Sequence, residues 1–180
     1  MSVDAPVPPE DELDPPGDPE SVARAICLRA LTQSARSRAE LSALLRRKGV
    51  PDSAAAAVLD RLGAVGLIDD EALANTFAAA AHQERGLSRR AVAVKLRQRG
   101  IDEPVVQSAL AQIDGDSELA AAHALAARKL RSLAGLEPGV QARRLVGLLA
   151  RRGYSPGLAL RVVKDVITEA DLPEVSDSIT

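Results

Sequence analysis

Three ten-residue stretches of the chain follow one pattern: LSALLRRKGV at 41–50, VAVKLRQRGI at 92–101 and LVGLLARRGY at 145–154. Each has apolar residues eight and four positions before a glycine, and an apolar or aromatic residue directly after it. The three marker glycines, Gly49, Gly100 and Gly153, are 51 and 53 residues apart. Aliphatic residues also recur ten and thirteen positions after each marker glycine: Leu59, Leu110 and Val163, then Leu62, Ile113 and Val166. Agreement at so many offsets predicts an internal repeat.

The composition indicates that each repeat is helical. Of the 180 residues, 46% are hydrophobic but only 1% are aromatic. Alanine, leucine and arginine are strong helix formers, whereas sheets rely on aromatic and β-branched residues. We therefore predict an all-α fold of three tandem three-helix repeats that form an elongated, curved body. The repeats are placed at 21–68, 69–116 and 117–168, between a disordered, acidic, proline-rich tail at 1–20 and an acidic tail at 169–180.

Local signals place the helices within each repeat. Ser37 and Glu40 have the spacing of a capping box at the start of a middle helix, and Ser88 is the matching cap in the second repeat. The marker glycine is expected to end this helix in the left-handed conformation. The third helix should open at Pro51, Asp102 and Ser155-Pro156, and the first helix should end near Ala35, Gly86 and Gly139.

The charges divide the chain into a basic body and acidic ends. All 23 lysines and arginines lie within 21–167, together with 14 of the 25 acids, which is an excess of nine positive charges. The other eleven acids lie in the two ends. A basic body predicts a polyanion or a negatively charged protein surface as partner.

Basic residues cluster at both ends of the predicted middle helices. In the last turn they suit the helix dipole, but in the first turn the dipole disfavours them, so 89–90 and 143–144 indicate binding. Arg90 and Arg97 are seven residues apart, as are Arg144 and Arg151, so each pair should form a basic ridge on one helical face. A solvated face is the alternative. The predicted partner-binding residues are Arg46, Arg47, Lys48, Arg89, Arg90, Arg97, Arg99, Arg143, Arg144, Arg151 and Arg152.

Catalytic and metal-binding motifs are scarce. Cys27 is the single cysteine, in an apolar context that predicts a buried thiol, and His82 and His123 are the two histidines, which we place at the surface or the core edge. Asp69-Asp70-Glu71 is interpreted as the acidic start of a helix. We therefore predict neither an enzyme nor a bound cofactor or metal. The start lacks the pattern of a secretion signal and no stretch predicts a membrane span, which indicates a cytosolic protein.

Several blocks of the sequence match one known pattern: GLIDDE at 66–71, then Phe77, Arg85-Gly86, Leu96-Arg97, Arg99-Gly100-Ile101 and LARRGYS at 149–155, over about 21–167. They resemble the RecX family, bacterial regulators of the RecA recombinase. Leu73 stands where the family often has an aromatic residue, and the acidic N-terminal tail is not part of the family pattern. The resemblance implies a protein that lies in the groove of the RecA–DNA filament. It would there restrain filament growth, ATP hydrolysis, strand exchange and co-protease activity, and so restrain recombination and the response to DNA damage.

A helix-turn-helix DNA-binding regulator is the alternative, because a three-helix unit with a short glycine turn can have that form. It would need base-reading side chains on one helix and palindromic dimers, whereas these units are tandem and amide side chains are few. Aromatic platforms for bases are also few, so any contact with single- or double-stranded DNA should be to its backbone. We expect a monomer. The sequence leaves open filament-end capping against groove coating, the affinity for DNA alone, the role of the acidic tail and which repeat dominates binding.

Overall fold

The computed structural model describes residues 17–171, which form nine α-helices and no strand. The helices are α1 (Pro19–Gln33), α2 (Arg38–Arg47), α3 (Asp52–Ala64), α4 (Asp70–Gln83), α5 (Arg89–Gln98), α6 (Glu103–Leu110), α7 (Gly115–Arg131), α8 (Pro138–Arg151) and α9 (Pro156–Asp171). Successive groups of three form the three repeats, and this confirms the all-α tandem-repeat prediction. The predicted disorder of the tails concerns residues that lie mostly outside the described range.

The predicted caps are present. Ser37 Oγ accepts a hydrogen bond from the Glu40 N–H at 3.0 Å, and Glu40 Oε2 accepts one from the Ser37 N–H at 2.9 Å, which completes the capping box at the start of α2. At the start of α5, Ser88 Oγ accepts from the Ala91 N–H at 3.1 Å. These bonds satisfy backbone donors that have no partner inside the helix.

One predicted boundary is wrong. The first helix of the third repeat ends at Arg131 and not near Gly139. The chain turns through Gly135 at φ +83°, and α8 then begins at Pro138, so Gly139 lies inside its first turn. Proline suits the first position of a helix because its missing N–H has no partner to lose there. This early start makes α8 longer than α2 and α5, and it moves Arg143 and Arg144 out of the first turn.

Each repeat has its own hydrophobic core. The leucines four residues before the marker glycines, Leu45, Leu96 and Leu149, are fully buried, as are the residues eight before, Leu41, Val92 and Leu145. Cys27 is buried in the first core, where desolvation raises the pKa of its thiol, as the apolar context predicted. The repeat in the sequence is therefore a repeat of core positions.

The chain divides into two compact units, one up to Asp69 with the first repeat and one from Asp70 with the second and third. Within the second unit, repeats 2 and 3 pack together through α4 and α7. A Cβ on Gly86, which follows α4, would lie 3.3 Å from Leu125 Cδ2 of α7. The Ser88 N–H also donates to the Arg152 carbonyl at 3.0 Å. Repeats 2 and 3 thus share one packed body.

Candidate partner-binding surface

Arg97 forms an ion pair with Glu103. Its Nε and Nη2 donate to the two carboxylate oxygens of Glu103, each at 2.7 Å, and both side chains are about half exposed. These hydrogen bonds, with another from Gln107, lower the pKa of Glu103 to about 2 and raise the pKa of Arg97. In the ridge predicted from Arg90 and Arg97, the charge of Arg97 is therefore already neutralised by Glu103.

Two further predicted arginines also make contacts inside the second unit. The Arg99 guanidinium lies 5.8 Å from the centre of the Phe77 ring, a cation–π distance. Arg152 is half buried, and its Nη1 donates to the Arg85 carbonyl. Both residues follow the last turn of a middle helix, and both connect that end of the helix to another segment of the unit.

The first turns of α5 and α8 differ from each other. Arg89 and Arg90 are the first two residues of α5, as predicted, and the Arg89 N–H donates to Glu118 Oε1 at 2.9 Å. Arg143 and Arg144, in contrast, are in the second turn of α8, so the prediction that they occupy a first turn is wrong. The argument that the dipole disfavours paired cations applies to α5 alone.

The remaining predicted residues are exposed. Among residues 17–171, Arg46, Arg47 and Lys48 at the end of α2, Arg90 on α5 and Arg144 and Arg151 on α8 make no ion pair or side-chain hydrogen bond. Arg143 is also exposed, and its Nε donates weakly to the Gly139 carbonyl at 3.4 Å. These side chains keep their charges available to a partner.

Lys95 is an exposed cation that our prediction missed, and it lines a cleft together with Arg90. The cleft has a volume of about 400 Å³ and lies between repeats 2 and 3. From α5 it is lined by Arg90, Ala91, Val94, Lys95 and Gln98, and from the end of α8 and the following turn by Ala150, Gly153 and Tyr154. Arg90 and Val94 are four residues apart and share one side of α5, whereas Lys95 lies about 140° around the helix from Arg90. The tertiary structure, and not helical spacing, places both cations at this cleft.

Gly153 and Tyr154 form the junction beneath this cleft. A Cβ on Gly153 would lie 2.7 Å from Ala91 Cβ and 2.7 Å from Ser88 Oγ, so the turn after α8 touches the first turn of α5. Tyr154 is 4% exposed, and its hydroxyl has no hydrogen-bond partner within the described residues. Burial, with a contribution from Glu118, raises the pKa of Tyr154 to about 12.

Within residues 17–171, the other titratable groups form no recognisable catalytic or metal site. His82 is buried, with Nδ1 2.9 Å from the Leu87 carbonyl oxygen, and His123 Nε2 lies 3.9 Å from Glu169. Asp70 and Glu71 occupy the first turn of α4, where the acidic triplet was placed. Within residues 17–171 no group of three or more histidines, cysteines or acids could hold a metal ion. No helix of the same range is long and apolar enough to cross a membrane.

Three family descriptions match the chain in the order of its repeats: RecX, first three-helix domain, at 23–62; RecX, second three-helix domain, at 69–110; and RecX, third three-helix domain, at 116–163. Together they account for more than half of the sequence. The chain belongs to the RecX family. It is therefore a member of a family of regulatory proteins, as the resemblance implied.

Relatives described as regulatory protein RecX support the membership. The Streptomyces coelicolor protein is 46% identical over 156 residues, which cover 87% of this chain and 83% of the relative. The Thermobifida fusca protein is 46% identical over 162 residues, covering 88% of each, and the Mycobacterium avium protein is 49% identical over 146 residues, covering 80% and 84%.

Solved structures show the same fold at low identity. The crystal structure of RecX from Lactobacillus salivarius has a TM-score of 0.69 at 18% identity and covers 87% of this chain and 99% of that one. A second crystal structure of regulatory protein RecX has a TM-score of 0.68 at 22% identity, with coverage of 82% and 72%.

Proposed function

We propose that this RecX family member binds the RecA–DNA filament and inhibits its ATPase, strand-exchange and co-protease activities, acting by binding and not by catalysis. The observation that carries the proposal is a set of exposed cations, on the repeats of a chain from this regulatory family, that make no ion pair within residues 17–171. A filament presents DNA phosphates and acidic protein side chains, and both attract such cations.

The second unit offers the better-defined part of this surface. Arg90, Arg144 and Arg151 are exposed on two helices whose repeats are packed together, so their separations are set by the fold. Arg97, Arg99 and Arg152 contribute less, because each would have to leave an internal partner before it could bind. We therefore place the partner contacts of this unit on the first three.

The structure disfavours base reading by the helix that follows each short turn. In a helix-turn-helix, the start of this helix carries the side chains that contact base edges. Here α3 starts with Asp52, α6 with Glu103 and α9 with Pro156. Carboxylates at these positions repel phosphates and proline offers no side-chain donor, so we rank the DNA-reading regulator second. Contact with single- or double-stranded DNA through the backbone remains part of the proposal.

The test is DNA-dependent ATP hydrolysis by purified recombinase while this protein is titrated. We expect inhibition at stoichiometric amounts, and we expect Arg90→Glu/Arg144→Glu/Arg151→Glu to abolish it. The matched control is Arg128→Glu/Lys129→Glu/Arg131→Glu, which reverses three exposed cations at the end of α7 and should leave inhibition intact.

Circular dichroism should report the same helix content for both variants. Persistent inhibition by the first variant would show that the contact surface is elsewhere. No inhibition by the natural sequence, with tight binding to one duplex sequence instead, would favour the helix-turn-helix alternative. A monomer is expected in sedimentation experiments. The cytosolic location stays a prediction.

A further inference from the structure

We infer that the cleft between repeats 2 and 3 is a binding site for an acidic, extended protein segment. The segment carries an apolar residue with one carboxylate two positions before it and another two positions after it. The site is lined by Arg90, Val94 and Lys95 of α5 and closed by the turn after α8. This inference deepens the proposed function, since it names the chemistry of the protein partner at one place on the basic surface.

Charge is the first argument. Arg90 and Lys95 make no ion pair within the described residues, and neither Asp nor Glu lines the cleft. Arg90 is the second residue of α5, where the positive end of the helix dipole adds to its charge. An anionic ligand would therefore gain from both cations without displacing an internal partner.

Spacing is the second argument. Five residues along a helix correspond to a rise of about 7.5 Å and a rotation of about 140°, so Arg90 and Lys95 diverge on either side of Val94. Alternate residues of an extended peptide are about 6.6–6.8 Å apart and point to the same side. An apolar side chain can thus face Val94 while carboxylates two positions before and two positions after it, about 13 Å apart, face the two cations.

The apolar side chain between the cations selects a protein over a nucleic acid. Val94 is 44% exposed between Arg90 and Lys95, and Ala91 and Ala150 continue the apolar surface. A peptide can cover this valine with an aliphatic side chain or stem, whereas a phosphodiester backbone brings no apolar group of that kind. The cleft's aromatic residue, Tyr154, is 4% exposed and has no free face on which a base could stack.

The experiment uses the full chain, labelled with ¹⁵N, and a synthetic heptapeptide Gly-Glu-Ser-Leu-Ser-Glu-Gly titrated at low salt. We expect saturable shifts of the Val94 and Gly153 amide signals. The variant Arg90→Ala/Lys95→Ala should weaken binding about tenfold, the sum of two exposed ion pairs. The control Arg128→Ala/Lys129→Ala removes the same charge from α7 and should change affinity less than twofold.

The apolar contact has its own test. Val94→Ser, or a peptide with serine in place of leucine, should each weaken binding about fivefold, since roughly 1 kcal/mol of apolar contact is lost. Equal affinity for the leucine and serine peptides would overturn the inference. So would tighter binding of a short single-stranded oligonucleotide at the same amides, because the cleft would then be a phosphate site.

The recombinase ATPase assay with the natural sequence, compared with the peptide titration, separates this inference from the proposed function. Absent peptide binding with intact inhibition by the natural sequence would reject the cleft and leave the function standing. Peptide binding without any inhibition of the ATPase would reject the proposed function and leave the cleft standing.

Discussion

Replacement of Gly153 by alanine tests whether repeats 2 and 3 are held together as the structure describes. Gly153 and Gly135 lie in the same compact unit, and both have positive φ, +87° and +83°. A Cβ on Gly135 would meet no atom within 4 Å, whereas one on Gly153 would lie 2.7 Å from both Ala91 Cβ and Ser88 Oγ. The two substitutions therefore share the backbone strain and differ in the steric contact.

The magnitudes follow from these two contributions. A left-handed conformation costs an alanine roughly 1–2 kcal/mol, partly offset by the smaller entropy of the unfolded chain. We expect Gly135→Ala to lower the free energy of unfolding by about 1 kcal/mol. At Gly153 the new methyl must also displace the first turn of α5, because carbon atoms normally pack about 3.5–4.0 Å apart. Overpacking of this kind adds about 1–3 kcal/mol, so Gly153→Ala should cost about 2–4 kcal/mol.

The assay is urea denaturation followed by circular dichroism for both variants, which lie in the same compact unit. A double-mutant cycle with Ala91→Gly isolates the contact, since removal of the Ala91 methyl relieves one of the two clashes. We expect a coupling free energy of about 1 kcal/mol or more between the two sites. Equal losses for Gly135→Ala and Gly153→Ala, with no coupling to position 91, would refute the junction.

Three further predictions concern single contacts. Tyr154→Phe removes a buried hydroxyl that has no partner, and it should raise the free energy of unfolding by about 1 kcal/mol. Because the folded pKa of Tyr154 is raised to about 12, the natural sequence should lose more stability than the phenylalanine variant as the pH rises above about 10; parallel pH–stability curves would count against this. In an NMR titration, Arg97→Gln should return the pKa of Glu103 from about 2 toward its ordinary range, and an unchanged value would exclude the ion pair as its cause. Ser37→Ala should cost about 1 kcal/mol through loss of the cap, against little change for the exposed Ser53→Ala in the same denaturation assay.

Much of the fold could be predicted from the sequence because it rests on local signals. Leucines at helical spacing, a serine cap and a glycine stop all act within one or two turns, so each helix and the period of the repeat are visible in the chain itself. The wrong boundary at Gly139 arose because the third repeat was aligned to the other two. Pro138 begins a helix there, and that local signal was overlooked.

The candidate site could be predicted only in part. Clusters of arginine were visible, but their exposure depends on contacts across six residues or more. Glu103 neutralises Arg97, Phe77 lies beneath Arg99 and the Arg85 carbonyl accepts from Arg152. Lys95 is five residues from Arg90, a spacing that does not place two side chains on one helical face, so helical spacing alone did not connect these two cations.

The three marker glycines show what the sequence alone determines and what only the tertiary structure determines. The sequence by itself determined that each ends a middle helix, because a positive φ is a local requirement that glycine meets at least cost. Only the tertiary structure decided that a Cβ on Gly153 would meet Ala91 and Ser88, while a Cβ on Gly49 would meet nothing within 4 Å. The reason is physical: a backbone angle is set by neighbours along the chain, whereas the space for a methyl group is set by which helices pack beside it.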